Sequence, residues 1–127
     1  MSLIKGINHI CMKTNSDEEY EKTYNFYHNI LGFNIARKWD NGIMFDSGDG
    51  MIEIFQNGTC QMELGVIRHF ALATDNLVEC EKKVREAGYE IFMGPKDVEF
   101  NSNPVFKARV FFCFGPLGEQ VEFIQEG

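Results

Sequence analysis

Two histidine–glutamate combinations recur with similar neighbours. His9 stands in "INHICM" and His69 in "IRHFAL"; Glu53 stands in "MIEIF" and Glu122 in "QVEFI". All four lie in short alternating runs of strand type, where successive side chains point to opposite faces. Ile10 and Met12 occupy the other face beside His9, and Phe70 and Leu72 do so beside His69. Ile52 and Ile54 flank Glu53, and Val121 and Phe123 flank Glu122. In each run the greasier face suits cover by a helix, so the four polar residues are expected to share the remaining face. Two imidazoles and two carboxylates converging there would hold a divalent ion of borderline hardness, with Ni²⁺, Co²⁺, Zn²⁺, Mn²⁺ and Fe²⁺ all open. Four protein ligands leave two adjacent positions of an octahedron for water or substrate. One strand histidine alone is usually an ordinary core or surface residue; the repetition of both residue types is what points to a metal.

The elements that must carry these residues also repeat. Each half opens on its histidine run, passes a polar break, and enters a helical pattern ended by Gly32 or Gly88. "SDEE" predicts a capping box at Ser16 with Glu19, and "NLVE" predicts one at Asn76 with Glu79. Tyr20, Tyr24, Tyr27 and Leu31 form the first apolar stripe; Leu77, Cys80, Val84 and Ala87 form the second. Three strands should follow each helix: 33–39, 43–46 and 51–56, then 89–93, 107–114 and 120–125. The stretch 94–106, acidic in its middle at Asp97 and Glu99, is expected to be a lid or binding loop. The whole is one α+β domain with an internal duplication, a first βαβββ module over 4–57 and a second over 66–126.

Composition narrows the partners. The 127 residues carry a net charge of −7 with no basic cluster, which argues against a phosphate-tracking nucleic-acid surface and disfavours an anionic membrane. No apolar run is long enough for a membrane span. Four scattered cysteines without a Cys-x-x-Cys pair, and an opening without signal-peptide character, lead to an expected cytoplasmic location with reduced thiols.

At these residues the chain resembles the vicinal oxygen chelate superfamily, which includes glyoxalase I, extradiol dioxygenases, and fosfomycin- and bleomycin-resistance proteins. "FYHNILGF" is similar to its helix-end signature. "FGPLGEQVEFIQ" is similar to its Asp-Pro-x-Gly-x-x-x-Glu ending, with Gly115 in place of the usual Asp. The resemblance implies two paired βαβββ modules in a U-shaped, barrel-like mixed sheet with helices outside. The full His9, Glu53, His69, Glu122 set resembles the short bacterial lactoylglutathione lyases most. It implies one divalent metal per site, Ni²⁺ or Co²⁺ foremost and Zn²⁺ an option. It further implies a hemithioacetal substrate built from a 2-oxoaldehyde and a glutathione-type thiol. Glu122 would be the catalytic base and Glu53 its counterpart. Lys13, Asn57 and Arg37 stand where such enzymes carry substrate-binding residues; the even spacings His9–Lys13 and Glu53–Asn57 would keep each on its ligand's strand face. A homodimer is implied, with His9 and Glu53 of one subunit facing His69 and Glu122 of the other. Other metal enzymes of the group (epimerase, thiol transferase, dioxygenase) and a metal-free drug-binding resistance protein are the alternatives.

Overall fold

A computed structural model of the chain describes residues 3, 6–60, 63 and 65–127; the module start expected at residue 4 lies outside the described residues. The chain divides into two compact units, Met1–Gln61 and Met62–Gly127.

In the first unit, strand β1 (His9–Lys13) leads to helix α1 (Asp17–Tyr24) and then to β2 (Asn34–Trp39), β3 (Gly42–Asp46) and β4 (Met51–Phe55). The sheet order is β1-β4-β3-β2, so β1 lies parallel to β4 and the last three strands form an antiparallel meander. The Ser16 hydroxyl accepts the Glu19 N–H, as the capping pattern requires. The Glu19 carboxylate reaches one residue further back than a capping box would place it, to the Asn15 N–H at 2.8 Å.

Beyond Tyr24 the helix continues as a π-helical segment over Asn25–Ile30, with the Leu31 N–H bonded to the Phe26 carbonyl. The wider turn re-phases the apolar stripe. Thr23, Phe26 and Tyr27 are the fully buried residues, whereas Tyr20, Tyr24 and Leu31 are half-buried. Ile43, Phe45, Ile52 and Ile54, registered on one face of the sheet, are buried as well. Phe45 collects ring contacts from Tyr24, Tyr27 and His28. Phe45→Ala should therefore cost about 3–5 kcal/mol of unfolding free energy, measurable by urea titration.

The second unit repeats the plan. Strand β5 (Phe70–Ala73) is followed by helix α2 (Leu77–Glu86), then β6 (Ile91–Phe100), β7 (Phe106–Phe114) and β8 (Gln120–Glu126), in sheet order β5-β8-β7-β6. Asn76 caps α2 by accepting the Glu79 N–H; its own N–H goes to the Thr74 hydroxyl at 3.0 Å, the role expected of Glu79. Leu77 and Val84 are buried on the helix, as are Phe111, Cys113, Val121 and Phe123 on the sheet. Burial, then the nearby Glu119 charge, pushes the Cys113 thiol up to about 12, so it is a packed apolar group at neutral pH.

The lid expected over 94–106 is not there: residues through Phe100 belong to β6, and only 101–105 connect it to β7. Gly94–Pro95 reads as a breaker, but β6 is an edge strand with a register shift between Met93 and Lys96, where a proline needs no ladder N–H. The acidic residues face basic ones across the hairpin. Asp97 accepts from Arg109 at 3.1 Å, and Glu99 is registered opposite Lys107. No helix among the described residues is long and apolar enough to cross a membrane.

Candidate metal centre

The alternation of β1 and β4 sorts their side chains as their sequences require. Ile52 and Ile54 are buried, while His9, Cys11, Lys13, Met51, Glu53 and Phe55 share the other face. His9 Nε2 lies 3.6 Å from Glu53 Oε1. In the second unit His69 Nε2 lies 3.2 Å from Glu122 Oε1. The registers of the two units match. Cys11, two residues after His9, is the partner of Glu53, and Ala71, two residues after His69, is the partner of Glu122. Each carboxylate is mostly buried, at 13% and 16% side-chain exposure, and each imidazole is open, at 39% and 38%. A wet edge and a sheltered anion in each pair leave the donor atoms accessible to a small ion.

These pairs fit a divalent metal. Two ligands bound at about 2.0–2.2 Å to one ion stand roughly 2.8 Å apart at a right angle and up to roughly 3.6 Å apart at the tetrahedral angle, and the separations of 3.2 Å and 3.6 Å fall within that span. The 3.6 Å pair is too long for a hydrogen bond, so the geometry does not need a proton shared between the two groups. Each unit contributes two donors: no group of three or more His, Cys, Asp or Glu that could hold an ion occurs among the described residues.

The surroundings of the two histidines differ. His9 Nδ1 is 2.8 Å from the Asn8 side-chain oxygen, which orients the ring and directs Nε2 at Glu53. His69 instead packs edge-on against Phe112 at 5.0 Å. Phe112 is the register partner of Glu122, so a second-unit aromatic walls its pair where Met44 lies beside Glu53 in the first. Burial first, then a hydrogen bond to Glu53 and that carboxylate's charge, raises the Cys11 thiol above its ordinary value.

Of the expected substrate contacts, Lys13 lies on the face of His9, two pleats along β1 with Cys11 between them. Arg37 joins the same face through Met44, donating to its sulfur at 3.6 Å. Asn57 does not follow by alternation, because β4 ends at Phe55. Beyond it the chain turns in against Thr14, where Gly58 leaves no room for a Cβ, 2.8 Å from the Thr14 carbonyl. Sequence reasoning missed Asn8, Cys11 and Glu119. The alternation that placed Glu53 also reaches Cys11, but Asn8 precedes the strand and carries no such signal.

Glu119 is the one buried carboxylate among the described residues. It lies in the turn before β8, where its Oε1 accepts the Leu117 N–H at 2.8 Å. A Cβ built on Gly115 would lie 2.5 Å from the Glu119 carboxyl carbon. The Glu119 carboxylate thus fills the space that an aspartate side chain at 115 would occupy and caps the same turn.

Among curated proteins none matches the sequence. Solved structures match it along nearly its whole length. A glyoxalase family protein from Bacillus anthracis is 20% identical with a TM-score of 0.74, over 100% of this chain and 99% of that one. A glyoxalase family protein from Enterococcus faecalis is 23% identical with a TM-score of 0.72, over 97% and 99%. TnmS3, an antibiotic binding protein from Streptomyces sp. CB03234, is 19% identical with a TM-score of 0.73, over 100% of both chains. A family model matches residues 6–123, and by that match the chain belongs to the Glyoxalase/Bleomycin resistance protein/Dioxygenase superfamily.

Proposed function

We propose that the protein is a metal-dependent lyase of the glyoxalase I type, converting the hemithioacetal of a 2-oxoaldehyde and a thiol to an S-2-hydroxyacylthiol. The observation that carries this reading is the pair of like-registered His–Glu couples, with nitrogen-to-oxygen separations of 3.6 Å and 3.2 Å. His9, Glu53, His69 and Glu122 would hold one divalent ion, Ni²⁺ or Co²⁺ foremost, in a homodimer whose centres draw two ligands from each subunit. When bound, the ion supplies Lewis-acid polarisation of two vicinal substrate oxygens.

The chain's own residues do the rest. Glu122 takes the proton from C1 of the hemithioacetal and returns it to C2, and Glu53 plays the matching part for the opposite face. Their shelter from water keeps the moved proton with the carboxylate that took it. Phe112 beside His69 excludes water from that side. Lys13 and Arg37, on the sheet face of His9 and Glu53, would receive the anionic part of the substrate.

The test is an isomerase assay with methylglyoxal and glutathione, following thioester formation, across Ni²⁺, Co²⁺, Zn²⁺ and Mn²⁺. Activity with at least one ion, lost in Glu122→Gln with the fold intact, is the expected result; inactivity with all four overturns the reading. Asn8→Ala should weaken Ni²⁺ binding by about 10-fold or more by freeing the His9 ring, as read by competition with a chromogenic chelator.

A further inference from the structure

Beside the His9–Glu53 couple the first unit builds an aromatic shelf. Phe55 follows Glu53 by one pleat on β4, about 7 Å along the strand. Its register partners continue the row in both directions: Lys13 on β1, Gly42 on β3, and Trp39 on β2 opposite Gly42. Phe55 and Trp39 stack with ring centroids 5.5 Å apart and planes 29° apart. The stack crosses an intervening strand, and Gly42 is what permits it: a Cβ there would lie 2.6 Å from the Phe55 ring. Trp39 stays 40% exposed. Two large rings are thus spread over a sheet face instead of being folded into the core.

Two cations border this shelf. Lys13 ends the aromatic row, and Arg37 lies in the next row, its guanidinium held over Met44 at 3.6 Å. Among the described residues neither has a carboxylate within ion-pair distance, in a chain of net charge −7. A planar ring lying on Trp39 and Phe55 with an anionic substituent would satisfy both: stacking on the rings and charge-assisted hydrogen bonds to the cations.

We infer that the Trp39–Phe55 shelf, bordered by Lys13 and Arg37, is a binding subsite for an aromatic anion such as an arenecarboxylate. Its assignment as the non-reacting part of the substrate rests on the proposed function; the binding itself does not.

Trp39 is the single tryptophan, so it reports the subsite directly. Chelator-treated protein would be titrated with 4-nitrobenzoate, with its neutral amide, and with cyclohexanecarboxylate as a competitor. The expected result is saturable quenching by the acid, at least tenfold weaker binding of the amide, and no displacement by the saturated acid. Lys13→Met/Arg37→Met, which removes both charges and the Arg37 contact to the Met44 sulfur, should weaken binding at least tenfold while the protein keeps a cooperative melting transition. Linear quenching equal for acid and amide, or saturable binding unaffected by the double variant, overturns the inference. Since no metal is present, arene binding without any metal binding would remove the proposed function and leave the subsite standing. Nickel-dependent activity without arene binding would do the reverse.

Discussion

Adding Ni²⁺ to chelator-treated protein is expected to raise its Tm by at least about 10 °C, and removing any one of the proposed ligands His9, Glu53, His69 or Glu122 should abolish most of the rise. The magnitude follows from linkage. An ion present at about 1,000 times its Kd and bound by the native state alone adds roughly 4 kcal/mol. A chain of this size gains roughly 3–6 °C per kcal/mol. Loss of one donor from four leaves the ion with an incomplete set and open water positions, so most of that gain goes with it. His28 supplies the internal control. It is the third histidine, but its Nδ1 is engaged with the Phe33 carbonyl at 2.7 Å and its ring packs on Phe45. His28→Gln lowers the starting Tm yet keeps the nickel-induced increment. An equal increment in all five variants would mean that the ion binds elsewhere.

The second large effect concerns the turn that launches β8 and with it Glu122. Glu119→Ala should destabilise the protein by about 2–3 kcal/mol, because the part-buried turn N–H at Leu117 loses a charged acceptor. Gly115→Asp alone should cost a similar amount, since two carboxylates would compete for one space, with Cβ only 2.6 Å from Glu119 Oε1. Combined, the two changes should compensate: the aspartate introduced at position 115 would then take over the Leu117 N–H. Gly115 is not among the glycines with positive φ, so its backbone accepts an aspartate. A double-mutant cycle by urea denaturation should return a favourable coupling of about 2 kcal/mol or more. Simple additivity would show that Glu119 and position 115 do not share the capping role.

This turn shows where sequence reading stops. The replacement of the usual Asp by Gly115 is visible in the chain, but its compensation by Glu119 depends on a side chain folding back into the turn, which no periodicity records. The four ligand-type residues were legible because β alternation is rigid: once Ile52 and Ile54 are buried, Glu53 must face the other way. Ser16 and Asn76 were legible because caps are local. The π-helical segment was not, since insertion of one residue into a helical turn is decided by packing against Phe45 rather than by helix propensity. Strand β6 was hidden by Gly94–Pro95, whose breaking tendency matters only where a neighbouring strand needs the missing N–H. For Asn57 the alternation gives no guide, because β4 ends at Phe55.

The proposed function requires that one ion be shared by both His–Glu couples. Isothermal titration of nickel into chelator-treated wild type, Glu53→Ala and Glu122→Ala decides it. A stoichiometry of one ion per chain, with affinity falling at least 100-fold in each variant, is the predicted result. Two weak sites per chain, one of them surviving unchanged in each variant, would mean that the couples act separately and would contradict it.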